Sequence, residues 1–204
     1  LTAGIYYIHP VAKATATKIA DSIVTTPKYD DATKSWVKND NIDLASKVST
    51  KDIVLDKTIT KVDNTDVNAK YATAGLGSTV EFKLEANVPG SATSKLKKYA
   101  IADKMDAGLS FNKNSVKVYY TTDASSLSAA DLVDAADYTV DAPFTAKDTE
   151  YTFAVNFKAD TDGYVKNIYD ADEKMVVVFN ATVNENATVG KTSNDNKVSL
   201  DYAN

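Results

Sequence analysis

Residues 79 to 88 alternate without a break: Val80, Phe82, Leu84, Ala86 and Val88 fall on one side, and Thr79, Glu81, Lys83, Glu85 and Asn87 on the other. A two-residue period puts successive side chains on opposite faces of a strand, so one face is built for an apolar layer and the other for water. Runs of the same kind recur between polar turns. They are Gly4–Ile8, Ser22–Thr26, Ser35–Leu44, Ile53–Thr60, Leu96–Asp103, Ser115–Tyr120, Tyr138–Val140, Tyr151–Phe157, Lys174–Val183 and Lys197–Tyr202. Their richness in Thr, Val and Tyr predicts an all-β fold. Asn64–Ser78, with two glycines and many small polar residues, reads as a long loop. Ser126–Ala136, whose leucines and alanines are unbranched at Cβ, reads as a short helix or helical turn.

Hydrophobic residues make up 44% of the 204, enough to close a core and to exclude a disordered chain. The formal net charge of -5 argues against nucleic acid as a partner, and no apolar run has the length of a membrane span. There is no cysteine, hence no disulfide, and one histidine, His9. His9 follows Ile5-Tyr6-Tyr7-Ile8 and reads as a strand-end residue, which leaves Ser-His-Asp and Cys-His catalysis unsupported. Ligands for zinc are lacking, so neither a metal nor a cofactor is expected. Asp160-Thr161-Asp162-Gly163 opens like a calcium loop, but the acids that should follow are missing; an acidic turn is the simpler reading. The first residue is Leu1 rather than Met, and the chain is expected to be a processed or trimmed piece.

A domain boundary is expected near Ser46–Asp52. Residues 1–51 are too few to close a sandwich and read as the tail of a preceding β domain; residues 52–204 have the length of one complete sandwich.

Polar residues interrupt the apolar pattern in three runs. In the closing run Asn196–Asn204, the amides of Asn196 and Asn204 share a face with Val198, Leu200 and Tyr202. Lys57 shares a face with Leu55 and Ile59, and Asp103 lies on the parity of Tyr99 and Ile101. A polar group aimed into an apolar layer must be satisfied there, so one lysine, one acid and one asparagine directed into a single core need a reason.

Several pieces, in order, resemble the isopeptide-forming D2 domain of backbone pilins from Gram-positive, sortase-assembled pili, a CnaA-type variant of the immunoglobulin fold. They are Leu55-Asp56-Lys57-Thr58-Ile59, Gly77 through Leu84 leading to Val88-Pro89, Tyr99 through Met105 with Gly108-Leu109-Ser110-Phe111, Asp137-Tyr138-Thr139-Val140, Ala181 through Ala187 with Gly190, and Asn196–Asn204. The match runs over about three quarters of the chain. It implies an immunoglobulin-like (CnaA-type) β-sandwich for residues 52–204. Ala3–Ile8 is similar to the strand that closes the preceding pilin domain. Trp36 followed by Asn41 through Lys47 is similar to the pilin motif, with Ala45-Ser46 in place of Tyr-Pro; Lys47 then stands where sortase joins the next subunit.

In that family a lysine on the first strand attacks the amide of an asparagine on the last, and ammonia leaves. The resemblance assigns the attack to Lys57, the acceptor to Asn196 and the acid to Asp103. It also implies first and last strands lying side by side and parallel. Lys61 is an alternative lysine on the same parity, and Asn204 and Asn194 are alternative acceptors. The plainer alternative makes Lys57 an exposed strand lysine, Asp103 a turn cap and Asn196 a turn residue.

The implied protein is a structural subunit of a cell-surface pilus of a Gram-positive bacterium, linked to neighbouring pilins by sortase. It is not an enzyme, apart from one self-directed turnover. A cell-wall adhesin module that binds a host ligand is the rival expectation.

Overall fold

The computed structural model describes residues 4–8, 18–19, 22–26, 28–37, 48–49, 54–88, 95–146, 148–166, 173–188 and 196–203. The chain divides into two compact units, Leu1–Asp52 and Ile53–Asn204. The described part of the first unit consists of three antiparallel ribbons: β1 (Gly4–Ile8) with β3 (Ser22–Thr26), β2 (Lys18–Ile19) with β6 (Val48–Ser49), and β4 (Lys28–Asp30) with β5 (Ser35–Val37). His9 and Lys47 lie outside the described residues.

The second unit is an all-β, immunoglobulin-like sandwich. Its larger layer orders as β11 (Leu109–Thr121), β16 (Lys174–Val183), β9 (Thr79–Asn87), β7 (Leu55–Val62) and β8 (Thr65–Ala69). The smaller orders as β12 (Tyr138–Asp141), β15 (Phe153–Phe157), β10 (Lys98–Met105) and β17 (Asn196–Ala203), and every pairing in both layers is antiparallel. A small hairpin, β13 (Phe144–Ala146) with β14 (Thr149–Tyr151), stands apart. Alternation dictates the packing. The inner residues of β9, from Val80 to Ala86, are buried, and so are Met175, Val177, Phe179, Ala181 and Val183 of β16. Tyr99 and Ile101 of β10 and Phe153, Val155 and Phe157 of β15 close the core from the other layer. Phe82, Phe179, Phe153 and Phe111 form a continuous ring stack through its centre, with centroids 4.2–5.9 Å apart.

Two expectations need revision, and a third, the helical turn, is met twice. The stretch expected as a long loop contains β8, because Asp63 and Asn64 (φ 48° and 66°) supply the two left-handed residues of a tight hairpin turn. The strand expected from Ser115 begins at Leu109. Ser126–Ala136 yields two single 3-10 turns, Ala129–Asp131 and Ala135–Asp137. The Asp160 turn is held by its own carboxylate, which accepts from the backbone N–H groups of Asp162 (2.9 Å) and Tyr164 (3.0 Å).

Two β-bulges reset the period. In β7, Ile59 faces Phe82 but Lys61 faces Glu81, so the inward set runs Leu55, Lys57, Ile59 and then Val62. Thr60 is the extra residue; its hydroxyl donates to the Glu81 carboxylate (2.8 Å). In β11 the register shifts between Asn112 and Lys117, so Leu109 and Phe111 face inward on one parity and Val116, Val118 and Tyr120 on the other. Ser115 closes that gap by donating to the Asn112 carbonyl (2.6 Å) and accepting from Asn180 N–H (2.8 Å).

Candidate functional site

β7 carries Lys57 inward, opposite Leu84 of β9. Its side chain is 11% exposed, and its ammonium sits 5.0 Å from the ring centroid of Phe82 and 5.5 Å from that of Phe179. From the facing layer β10 supplies Asp103, between Phe153 of β15 and Val198 of β17 in the ladder, with a side chain 0% exposed. Lys57 Nζ donates to Asp103 Oδ2, which ties the two layers together. Asn196 begins β17 opposite Met105, one inward position along from the Val198–Asp103 pair, so its side chain shares a sheet face with Asp103.

The polar atoms around this pair are unusual. Asp103 Oδ1, Asn196 Oδ1 and Asn196 Nδ2 are all buried, with no hydrogen-bond partner among the described residues. A buried orphan of this kind costs about 1–3 kcal/mol, and native interiors hold few of them.

Burial also sets the protonation. Desolvation lowers the Lys57 ammonium from 10.5 to about 8, against the attraction of Asp103. Desolvation raises the Asp103 carboxyl from 3.8 to about 6, against the attraction of Lys57. The interval between the two groups therefore narrows from almost seven to about two. Burial thus moves the two groups in the directions that favour a neutral amine beside a neutral carboxylic acid.

The structure thus brings Lys57 and Asp103 into contact and sets Asn196 beside Asp103 on the same inner face. It places Lys61 elsewhere. The bulge at Thr60 turns that lysine to the outer surface, 3.7 Å from the Glu81 carboxylate and 42% exposed. Asn204 and Asn194 lie outside the described residues. The expected side-by-side arrangement of first and last strands also differs. β7 hydrogen-bonds to β8 and β9, β17 hydrogen-bonds to β10, and β7 meets β17 only as a contact between the two layers. Sequence reasoning missed Phe82 and Phe179 as walls of the lysine. The signal was available, because Phe82 lies on the same inward parity of β9 as Leu84, which faces Lys57.

No protein-family model and no curated protein matches the sequence. Solved structures do match. The pilus backbone protein RrgB of Streptococcus pneumoniae aligns with a TM-score of 0.54 at 21% identity, over 74% of this chain and 53% of its own. The major pilin SpaA of Corynebacterium diphtheriae, whose structure points to a modular pilus assembly with stabilizing isopeptide bonds, aligns at 0.53 and 17% identity over 98% of this chain and 43% of its own. The major pilin SpaD of the same organism aligns at 0.50 and 18% identity, over 99% and 47%. The fold is that of Gram-positive backbone pilins. The chain spans about half the length of these pilins, or less.

Proposed function

We propose that this chain is part of a structural subunit of a Gram-positive pilus, and that its second unit is stiffened by an intramolecular amide between Lys57 and Asn196. The observation that carries the reading is the buried Lys57–Asp103 pair next to an Asn196 amide with neither of its polar atoms satisfied. The pilin-like fold supports it.

The chemistry follows from the protonation of the pair. Asp103 takes the proton of Lys57, leaving a neutral amine. That amine attacks Cγ of Asn196 while the Asp103 carboxylic acid donates to Oδ1, where negative charge develops. Asp103 then passes that proton to Nδ2 and takes one in turn from Nζ, the Cγ–Nδ2 bond breaks, and ammonia leaves as the new Nζ–Cγ amide forms. Nothing is oxidised or reduced. Folding supplies the proximity, since both partners are fixed on packed strands. The acid turns over once, on its own chain, so the protein is a structural element rather than an enzyme.

The link would close a segment of roughly 140 residues and, by analogy with a disulfide, stabilise the fold by about 5 kcal/mol. It would also join β7 and β17, which lie in different layers and share no ladder hydrogen bonds, so that tension entering at β7 reaches β17 by a short covalent path. A filament shaft has use for that. Residues 1–51 would belong to the preceding pilin domain, with Lys47 as the proposed point of attachment to the next subunit on the bacterial surface.

Intact-protein mass spectrometry tests the bond. The expected mass is that of the sequence less one ammonia, and tryptic digestion should yield a branched peptide that joins the Lys57 and Asn196 segments. A full sequence mass in fully folded protein would overturn the reading. For the polymer, Lys47→Ala should abolish sortase-dependent high-mass ladders.

A further inference from the structure

The outer face of the five-stranded layer, away from the buried pair, holds a groove of about 490 Å³. Its floor crosses β7, β9, β16 and β11, and one wall is the segment around Ala124 and Ser125, held down by Lys83 Nζ donating to the Ala124 carbonyl (3.1 Å). We propose that this groove binds a carboxylate-bearing saccharide. The proposal is independent of the Lys57–Asn196 bond.

Both bulges of this layer serve the groove. Lys61 lies on the inward parity of Leu55, Lys57 and Ile59, and Lys117 on the inward parity of Leu109 and Phe111. Each bulge reverses the pattern just before its lysine and delivers that lysine to the outer face, where both line the groove. Bulges recur where a strand must re-aim a side chain. Two of them, on separate strands and converging on one cavity with the same residue type, are difficult to explain by core packing alone.

The charge agrees with an anionic ligand. Lys61, Lys83 and Lys117 line the groove against one acid, Glu81, in a chain of net charge -5. Glu81 is already engaged by Thr60 and Lys61, and Lys83 by Ala124 and by Glu85 at 3.6 Å. Lys117, the hydroxyl of half-buried Tyr119 and the side-chain amides of Asn68 and Asn180 make no bond within the described residues, which leaves a cation, an aromatic ring and two amides for a ligand. Planar amides read vicinal hydroxyls, a tyrosine ring covers the apolar face of a sugar, and ammonium groups take a carboxylate. The volume is that of an ordinary small-ligand site.

Titration calorimetry on the intact chain tests this, with a hyaluronan tetrasaccharide as a uronate probe, 3′-sialyllactose as a sialate probe and lactose as the neutral control. Saturable binding of either acidic saccharide without binding of lactose is expected, and the two arms identify the kind of acid sugar. Lys117→Ala should weaken that binding by about tenfold or more, the loss of a charge-assisted contact. Tyr119→Ala should weaken it further, while both variants keep the far-UV circular dichroism spectrum of the folded parent. Absence of saturation with both acidic probes, equal binding of lactose, or full affinity in Lys117→Ala would overturn the proposal.

Discussion

Lys57 and Lys61 stand four residues apart on one strand and keep the same parity in the sequence, yet they inhabit different solvents. Lys57 lies between two phenylalanine rings and donates to a carboxylate that no water reaches. Lys61 lies at the surface beside a half-buried Glu81. The residue type and the strand are common to both, and each has an acidic partner of its own. The environment differs, and it separates the proposed nucleophile from a lysine at the surface. The decisive object is a single residue, Thr60, which adds one position to β7 and reverses everything after it.

Removal of the buried lysine should have the largest effect. Lys57→Ala is expected to show the full sequence mass, because no other lysine of β7 reaches the core. Persistent loss of ammonia in this variant would mean that Lys61 had taken over and that the two sites are not distinct. Asn196→Ala blocks the same bond but leaves the Lys57–Asp103 pair in place. It should lose about 5 kcal/mol, a fall in thermal midpoint of roughly 10–20 °C for a unit of this size. A midpoint within a few degrees of the parent would show that the link contributes little.

The fold was legible from alternation, because β9, β10 and β16 each keep one parity from end to end. It failed where the parity itself changes. In β7 the residues around Thr60 look like continued strand, and only the ladder shows the inserted position; in β11 the polar run Asn112–Ser115 interrupts the apolar pattern and hid the first half of the strand. β8 was hidden for a different reason. Its Asp, Asn and Ala have weak strand preference, and the pairing rests on the Asp63-Asn64 turn rather than on the segment. Lys57, Asp103 and Asn196 could be found because each is a polar residue on an apolar parity, an anomaly that one strand displays without its partners. That Asp103 would contact Lys57 across the layers could not be found this way, since layer-to-layer register leaves no trace along a strand.

The next effect is kinetic. Asp103→Asn keeps the shape of the side chain but can neither accept the lysine proton nor donate one to the amide. Bond formation should slow by a factor on the order of 100 or more, read as the fraction of unlinked mass against time after refolding. A rate equal to the parent would reduce Asp103 to a structural partner of Lys57, and the contrast with the Lys61–Glu81 pair would then be one of burial only.

A smaller effect appears in the pH dependence of unlinked Asn196→Ala. Folding raises Asp103 from 3.8 to about 6, so the folded state holds that proton more tightly, and stability falls as pH rises from about 4 to 6. Folding lowers Lys57 from 10.5 to about 8, so the folded state holds that proton less tightly, and stability returns as pH rises from about 8 towards 10.5. Urea midpoints should therefore be lowest between pH 6 and 8. The parent should lack the alkaline rise, because its Lys57 nitrogen is an amide and no longer titrates. A flat profile in the variant would mean that the pair is hydrated in the folded state.

Lys61→Ala closes the comparison with the smallest change. Its partner Glu81 keeps the Thr60 hydroxyl, the pair is more than a third exposed on the lysine side, and surface pairs of this kind are worth between zero and about 1 kcal/mol. The expected outcome is a thermal midpoint within a degree or two of the parent and an unchanged mass deficit of one ammonia. A large loss would mean that Lys61 holds the bulge in place. The bulge would then depend on the salt bridge rather than on the Thr60 hydroxyl, and Thr60→Val, which removes that hydroxyl at nearly constant volume, would separate the two. If Thr60 is the anchor, Thr60→Val lowers stability by about 1 kcal/mol and Lys61→Ala does not, so the orientation of this lysine follows from the residue before it.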